Sequence, residues 1–233
     1  MIEIIPSESR GHANHGWLES QHTFSFGDFQ DPTRMGVGPL RVINEDRVAA
    51  GAGFAEHPHQ DMEILSYVLD GILEHKDSMG NGSRIDGGAF QRMRAGTGVR
   101  HSEWNADPTR DLHFLQIWIE PSEKGLQPAY QEFQPTGERP AQQMLIASGS
   151  DPEAPLEISQ DATLSQIQLY GDERLPIENR PGRQHFLHIA QGTAELNEAL
   201  ILRAGDAALI RDEGFRLGTT DVLDALLFDL PTD

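Results

Sequence analysis

Apolar and polar residues alternate in short runs along most of this chain, and glycine closes many of the runs. Examples are "LRVINEDRV" (40–48), "MEILSYVLDGILEHKDS" (62–78), "LHFLQIWIE" (112–120), "ATLSQIQLY" (162–170) and "VLDALLFDL" (222–230). Runs of this length, bounded by turn residues, predict strands of about five to nine residues packed as a sandwich or barrel. Few windows carry the 3.6-residue stripe and caps of a helix, and the one that admits a short helix follows Pro121. The expected class is all-β.

The stretch "PSEKGLQPAYQEFQPTGERP", residues 121–140, is rich in proline, glycine and charge and reads as a boundary. It divides the chain into domains of similar size, 1–125 and 126–233. An internal echo supports the division. "YVLDGILEH" (67–75) followed by "GGAFQRMRAG" (87–96) resembles "HIAQGTAEL" (188–196) followed by "RAGDAALI" (203–210). Each reads as strand, glycine turn, strand, glycine turn, strand, at a spacing far above that of a solenoid repeat.

The 233 residues suffice to bury a real core, and the hydrophobic content of 37% fits a globular protein. No apolar run approaches the roughly 20 residues needed to cross a bilayer, so no membrane role is expected. The N-terminus lacks the charged start and apolar stretch of a secretory signal, and the expected location is the cytoplasm. The formal charge is -19, with 10 Lys+Arg against 18 Asp+Glu through Pro121 and 8 against 19 after it. Acidity in both halves argues against direct binding to nucleic acid, which depends on basic surface. The chain has no cysteine, so any metal must take its ligands from His, Asp or Glu.

Those ligand types cluster. In "FAEHPHQDMEI" (54–64), His57 and His59 sit two apart, so on a strand they project from the same face while Pro58 points away. Proline suits an edge or strand end. Some 40 residues on, "HSE" repeats the spacing with His101 and Glu103. Two such pairs on different strands can bring three imidazoles and one carboxylate to a point. Strand parity also allows Glu63 in place of Glu103, and the spacing alone leaves those two carboxylates tied. His12, His15, His22, His75 and His113 read as structural or surface groups, any one of which could line a pocket. His185 and His188 have no partner resembling His101. Phe54 and Met62 are candidate pocket residues, and Asn105 a candidate loop anchor.

The flanks follow a known pattern. Gly51, five residues, His57-x-His59, three residues, Glu63 and then Gly71 resemble the first cupin motif. Gly98, two residues, His101, three residues and Asn105 resemble the second. Gly96 stands where proline is usual, and the gap from Glu63 to Gly71 is one residue longer than usual. "RGHANHGWLES", "HTFSFGDFQDPTRMG", "LRVINEDRV", "HPHQDMEILSYVLDG", "HKDSMGN" and "AGTGVRHSEWN" together resemble the N-terminal domain of the pirin family, across residues 10 to 120. "LLFDLP" resembles a pirin ending.

That resemblance implies a bicupin: two stacked β-barrel domains with metal in the N-terminal one. Carried over by position, it puts the metal ligands at His57, His59, His101 and Glu103, which resolves the tie in favour of Glu103. It implies one divalent ion, with Fe(II) favoured and Zn, Ni, Mn or Cu accepted by the same ligands. Several bacterial members act as quercetin 2,3-dioxygenases, which implies a flavonol substrate and dioxygen, with Glu103 as the candidate base. The family's other known role, metal-dependent regulation through a protein partner, is the alternative, together with a cupin dioxygenase or isomerase acting on another substrate. A monomer is the expected state.

Overall fold

The computed structural model describes residues 1–136 and 142–232, and almost all of their regular structure is antiparallel strand. The helical element among the described residues is the single 3-10 turn Ser7–Ser9. The window after Pro121 is irregular rather than helical, because its prolines and charges leave no apolar stripe for a helix to bury.

Two compact units divide the chain. Gly11–Pro135 and Pro155–Gln160 form one, and Met1–Arg10, Thr136–Ala154 and Asp161–Asp233 form the other. Residues 137–140 of the expected linker lie outside the described residues. The Ala129–Phe133 strand, beyond the 125/126 boundary, pairs with Phe90–Arg94 in the first unit. The chain's first strand, Ile2–Ile5, pairs with Ala207–Arg211 in the second.

The first unit holds two sheets. Seven strands run in the order Ala129–Phe133, Phe90–Arg94, Glu63–Asp70, Leu112–Ile119, Leu40–Val48, Leu18–His22, Gly11–Asn14. Four more run Gly53–His59, Val99–Asn105, Ile72–Asp77, Gly82–Asp86. One end of the space they enclose is filled by Leu18, Val48, Val68, Leu73, Leu112 and Phe114. Around the middle of the larger sheet the inward side chains are polar instead, and there a cavity opens.

The second unit is built on the long Arg183–Leu196 strand, flanked by Val222–Pro231 and Ala207–Arg211. Its main buried cluster is largely aliphatic and includes Ile167, Leu187, Ile189, Ala208, Ala225 and Leu227. Gly71 and Gly192, the paired turn glycines of the sequence echo, both have positive φ, +91° and +82°. A Cβ on Gly192 would lie 1.9 Å from the Val222 carbonyl oxygen, and one on Gly71 would meet the Leu112 backbone at 3.0 Å. Only glycine meets both demands without strain.

Candidate metal centre

His57 and His59 lie on the Gly53–His59 strand, and Val99–Asn105 pairs with it so that His101 faces His57 directly and Val99 faces His59. The register shifts by a bulge between His101 and Glu103. The three rings converge, with centroids 4.8 Å apart for His57–His59, 4.5 Å for His57–His101 and 4.9 Å for His59–His101. One ligand nitrogen from each lies within 4.8 Å of the other two. His101 is buried, whereas His57 and His59 are half-buried.

The tautomers favour a cation. His57 Nδ1 lies 2.8 Å from the Ala55 carbonyl oxygen, an acceptor that requires the proton on Nδ1. With that proton on Nδ1, the other ring nitrogen, Nε2, is the one turned toward His101 Nε2, 3.1 Å away. Metal–nitrogen bonds of about 2.1 Å meeting near a right angle leave their nitrogens about 3 Å apart. The observed spacing fits that donor set. Burial pushes His59 down to about 4, helped by His101 and His57. It pushes His101 down to about 3, helped by His57 and His75. Both rings are neutral near pH 7 and offer lone pairs.

Glu103 is buried, and both its carboxylate oxygens accept hydrogen bonds. Gln91 Nε2 donates to Oε1 at 2.8 Å, Ser66 Oγ to Oε1 at 3.3 Å, and Gln116 Nε2 to Oε2 at 2.9 Å. Two carboxylate oxygens have about four acceptor positions, so these bonds do not exhaust the group. The ligand atoms of His75, His101 and Glu103 form a second group within 4.8 Å, overlapping the first at His101. His75, grouped in the sequence with the structural or surface histidines, thus joins a metal-capable group. It lies directly opposite Glu103 in the register, stacks on Tyr130 at 4.5 Å and bonds Asp77 through Nε2 at 3.1 Å.

Glu63 has other partners. Its Oε1 is 2.9 Å from Arg94 Nε and accepts the Ser159 N–H at 3.0 Å, and it belongs to neither group of metal-capable side chains. Asn105 ties its loop: Nδ2 donates to the carbonyls of Val48 and Arg110, while Oδ1 accepts the Asp107 N–H.

His57, His59 and Glu103 line a cavity of about 1030 Å³, together with the aromatic rings of Trp17, Phe26, Phe29, Phe54 and Trp118. Met62 is not among its walls and packs instead with Ile64, Met93 and Val99. His12, His15 and His22 do line it. On the wall away from the imidazoles, Ser20 Oγ donates to Asp46 and lies 2.9 Å from His22 Nε2. Burial raises the Asp46 carboxyl to about 7; the Ser20 bond opposes the rise, and the Glu103 and Glu45 charges add to it. A smaller cavity of about 440 Å³ opens in the other unit beside His185 and Asp229. There Arg180 and Arg183 hold the Asp229 carboxylate. Both metal-capable groups found among the described residues lie in the first unit.

Known proteins agree with this architecture. Residues 5–119 match the Pirin family model, and residues 145–230 match the Quercetinase C-terminal cupin domain. The chain is 41% identical over 231 residues to a quercetin 2,3-dioxygenase of Escherichia coli K12, covering 99% of each. It is 43% identical over 218 residues to a putative quercetin 2,3-dioxygenase of Pseudomonas aeruginosa, covering 91% of this chain and 92% of that one. The crystal structure of the bacterial pirin YhhW from Escherichia coli, in complex with nickel(II), superposes with a TM-score of 0.94 at 40% identity, covering 100% of both chains. Fold, domain pair and full-length similarity coincide: the chain belongs to the pirin family.

Proposed function

We propose that this protein is a dioxygenase that opens the heterocyclic ring of flavonols, with His57, His59, His101 and Glu103 holding one divalent metal ion. The observation that carries this reading is the convergence of three imidazoles and a buried carboxylate at the wall of a large aromatic-lined cavity, with His57, His59 and Glu103 in the wall itself. The half-buried His57 and His59 face that cavity, so a ligand can reach them, as turnover requires. The names of the full-length relatives supply the reaction class.

What a divalent ion supplies when bound there is Lewis acidity and a template for a hydroxyl–ketone pair, and we favour Fe(II). The protein's own part is positioning and proton transfer. Gln91, Ser66 and Gln116 fix the Glu103 carboxylate in orientation, and from there it takes the proton of the flavonol 3-hydroxyl. The resulting enolate is electron-rich at the ring carbons that react with dioxygen. Both oxygen atoms enter the ester product, and one ring carbon leaves as carbon monoxide. Trp17, Phe54 and Trp118 cover the substrate's apolar faces and exclude water.

The test is oxygen uptake by protein reconstituted anaerobically with Fe(II), with quercetin added and headspace carbon monoxide followed; Ni(II) is run in parallel. Stoichiometric uptake with carbon monoxide, lost in His101→Ala, is the expected result. Metal bound at one equivalent with neither signal would overturn the reading.

A further inference from the structure

A row of polar side chains crosses the larger sheet of the first unit. In register, His22 faces Asn44, Asn44 faces Gln116, Gln116 faces Ser66 and Ser66 faces Gln91. Residues directly opposite in neighbouring strands share a face, so all five point into the unit's interior. The Gln116–Ser66–Gln91 end is saturated, since these three bond Glu103 and Ser66 also bonds Gln91 and Gln116. At the other end, His22 is engaged with Ser20.

Asn44, between the two ends, is not satisfied. It is 3% exposed, lines the cavity, and its Oδ1 has no hydrogen-bond partner. A buried acceptor left unpaired costs stability. One strand away on the same wall, Trp118 Nε1 is also buried without a partner, and its ring lies 5.1 Å from that of His59. Both residues line the cavity, so a side-chain rotation is enough to turn an unpaired acceptor and an unpaired donor into it, close to the imidazoles but not among them. A phenolic hydroxyl, which donates and accepts, fits both.

Resting on the flavonol reading above, we propose that Asn44, seconded by Trp118, is the specificity determinant that recognises a phenolic hydroxyl of the substrate outside its 3-hydroxyl–4-ketone pair. Strands lie about 4.8 Å apart, so Asn44 sits roughly 5 Å and His22 roughly 10 Å across the sheet from Gln116. A three-ring ligand engaged at the histidines extends over that distance. The polar wall then separates hydroxylated flavonols from bare ones, because a bare ring leaves Asn44 unpaired while displacing any water that served it.

The experiment is anaerobic calorimetric titration of the Ni(II)-reconstituted protein with quercetin and, separately, with 3-hydroxyflavone, which carries only the 3-hydroxyl. Wild type is expected to prefer quercetin by about tenfold, as one well-made hydrogen bond supplies. Asn44→Ala is expected to lose most of that preference through weaker quercetin binding, and Trp118→Phe, which keeps the ring and removes the N–H, to lose part of it. Thermal melting confirms that each variant folds, and either variant alone carries the test. Equal affinities in wild type, or a preference untouched by both variants, would overturn the inference even if carbon monoxide is released. A preference abolished by Asn44→Ala in a protein that releases no carbon monoxide would uphold the recognition site and sink the reaction.

Discussion

The two units of this molecule use the same strand-and-glycine grammar and fill the middle of their sheets differently. In the second, most positions facing inward along Arg183–Leu196 and its neighbours are aliphatic, with Leu187, Ile189, Ala208, Ala225 and Leu227 all nearly or fully buried, and the polar exceptions, His185 and Ser165, sit beside the smaller cavity. In the first, the row His22–Asn44–Gln116–Ser66–Gln91 carries amides, a hydroxyl and an imidazole across five strands, with Glu103 bonded to its saturated end. Aliphatic filling is the cheaper arrangement, since each buried polar group must find a partner to avoid a cost. The first unit accepts that cost where the imidazoles gather. The comparison teaches that the strand pattern specifies the fold while the chemistry is written in the few inward positions that depart from it.

The sharpest way to break the comparison is to write the first unit's chemistry into the second. Leu187 is fully buried, opposite Leu227 and Ala208. Leu187→Asn removes a buried aliphatic side chain and leaves an amide without partners, a combined cost of about 5 kcal/mol. Urea denaturation followed by circular dichroism should register most of it as a lower midpoint. A loss under 1 kcal/mol would mean that this interior is as tolerant of polar groups as the first.

Much of this was legible in the residues. The alternating runs announced strands, and "HPH" with "HSE" announced imidazoles brought together from two strands, because i and i+2 on a strand must share a face. What escaped was whatever depends on register. His75, in "ILEHKD", looks like any polar residue near a strand end until pairing sets it opposite Glu103. Glu63 satisfied parity with His57 and His59 only if the strand ran on. A turn at Asp61, with φ of 50°, intervenes, and Glu63 begins a new strand in another sheet. "MIEII" gives no sign that the strand it forms, Ile2–Ile5, joins the second unit. The polar row left a signal that went unread. Ser66 in "EILSYVLD" and Gln116 in "LHFLQIWI" stand at buried or half-buried positions within apolar strands.

A second probe uses pH, because the first unit buries a carboxyl, Asp46, with a strongly raised affinity for its proton. Asp46 lies in the cavity wall, bonded by Ser20 and repelled by Glu45 and Glu103. Its folded value of about 7 stands above the unfolded 3.8. Between those limits the folded chain holds a proton that the unfolded chain has released. The stabilisation is complete below about pH 4 and is lost as pH rises through 7, by about 4 kcal/mol at most. Asp46→Asn does not titrate, so wild-type stability minus variant stability should fall across that window and level off above it. A difference independent of pH would place the Asp46 proton elsewhere.

The smallest effect on stability is expected from the reverse exchange, and it is the most informative. Asn44→Leu gives the first unit an aliphatic side chain of similar size at a position 3% exposed. It removes an acceptor that no protein group satisfies. Transfer of apolar surface and relief of the orphaned oxygen both favour the variant, while imperfect fit opposes them. The net change should lie within about 1 kcal/mol of zero and lean toward stabilisation. The same type of exchange, Leu for Asn, thus has opposite consequences in the two units. If Asn44→Leu instead costs several kcal/mol, Asn44 is already paired through ordered water and the polar row is structural. If it is neutral or stabilising, the amide is kept at that position for what it binds, and the polar interior of the first unit is held against stability by function.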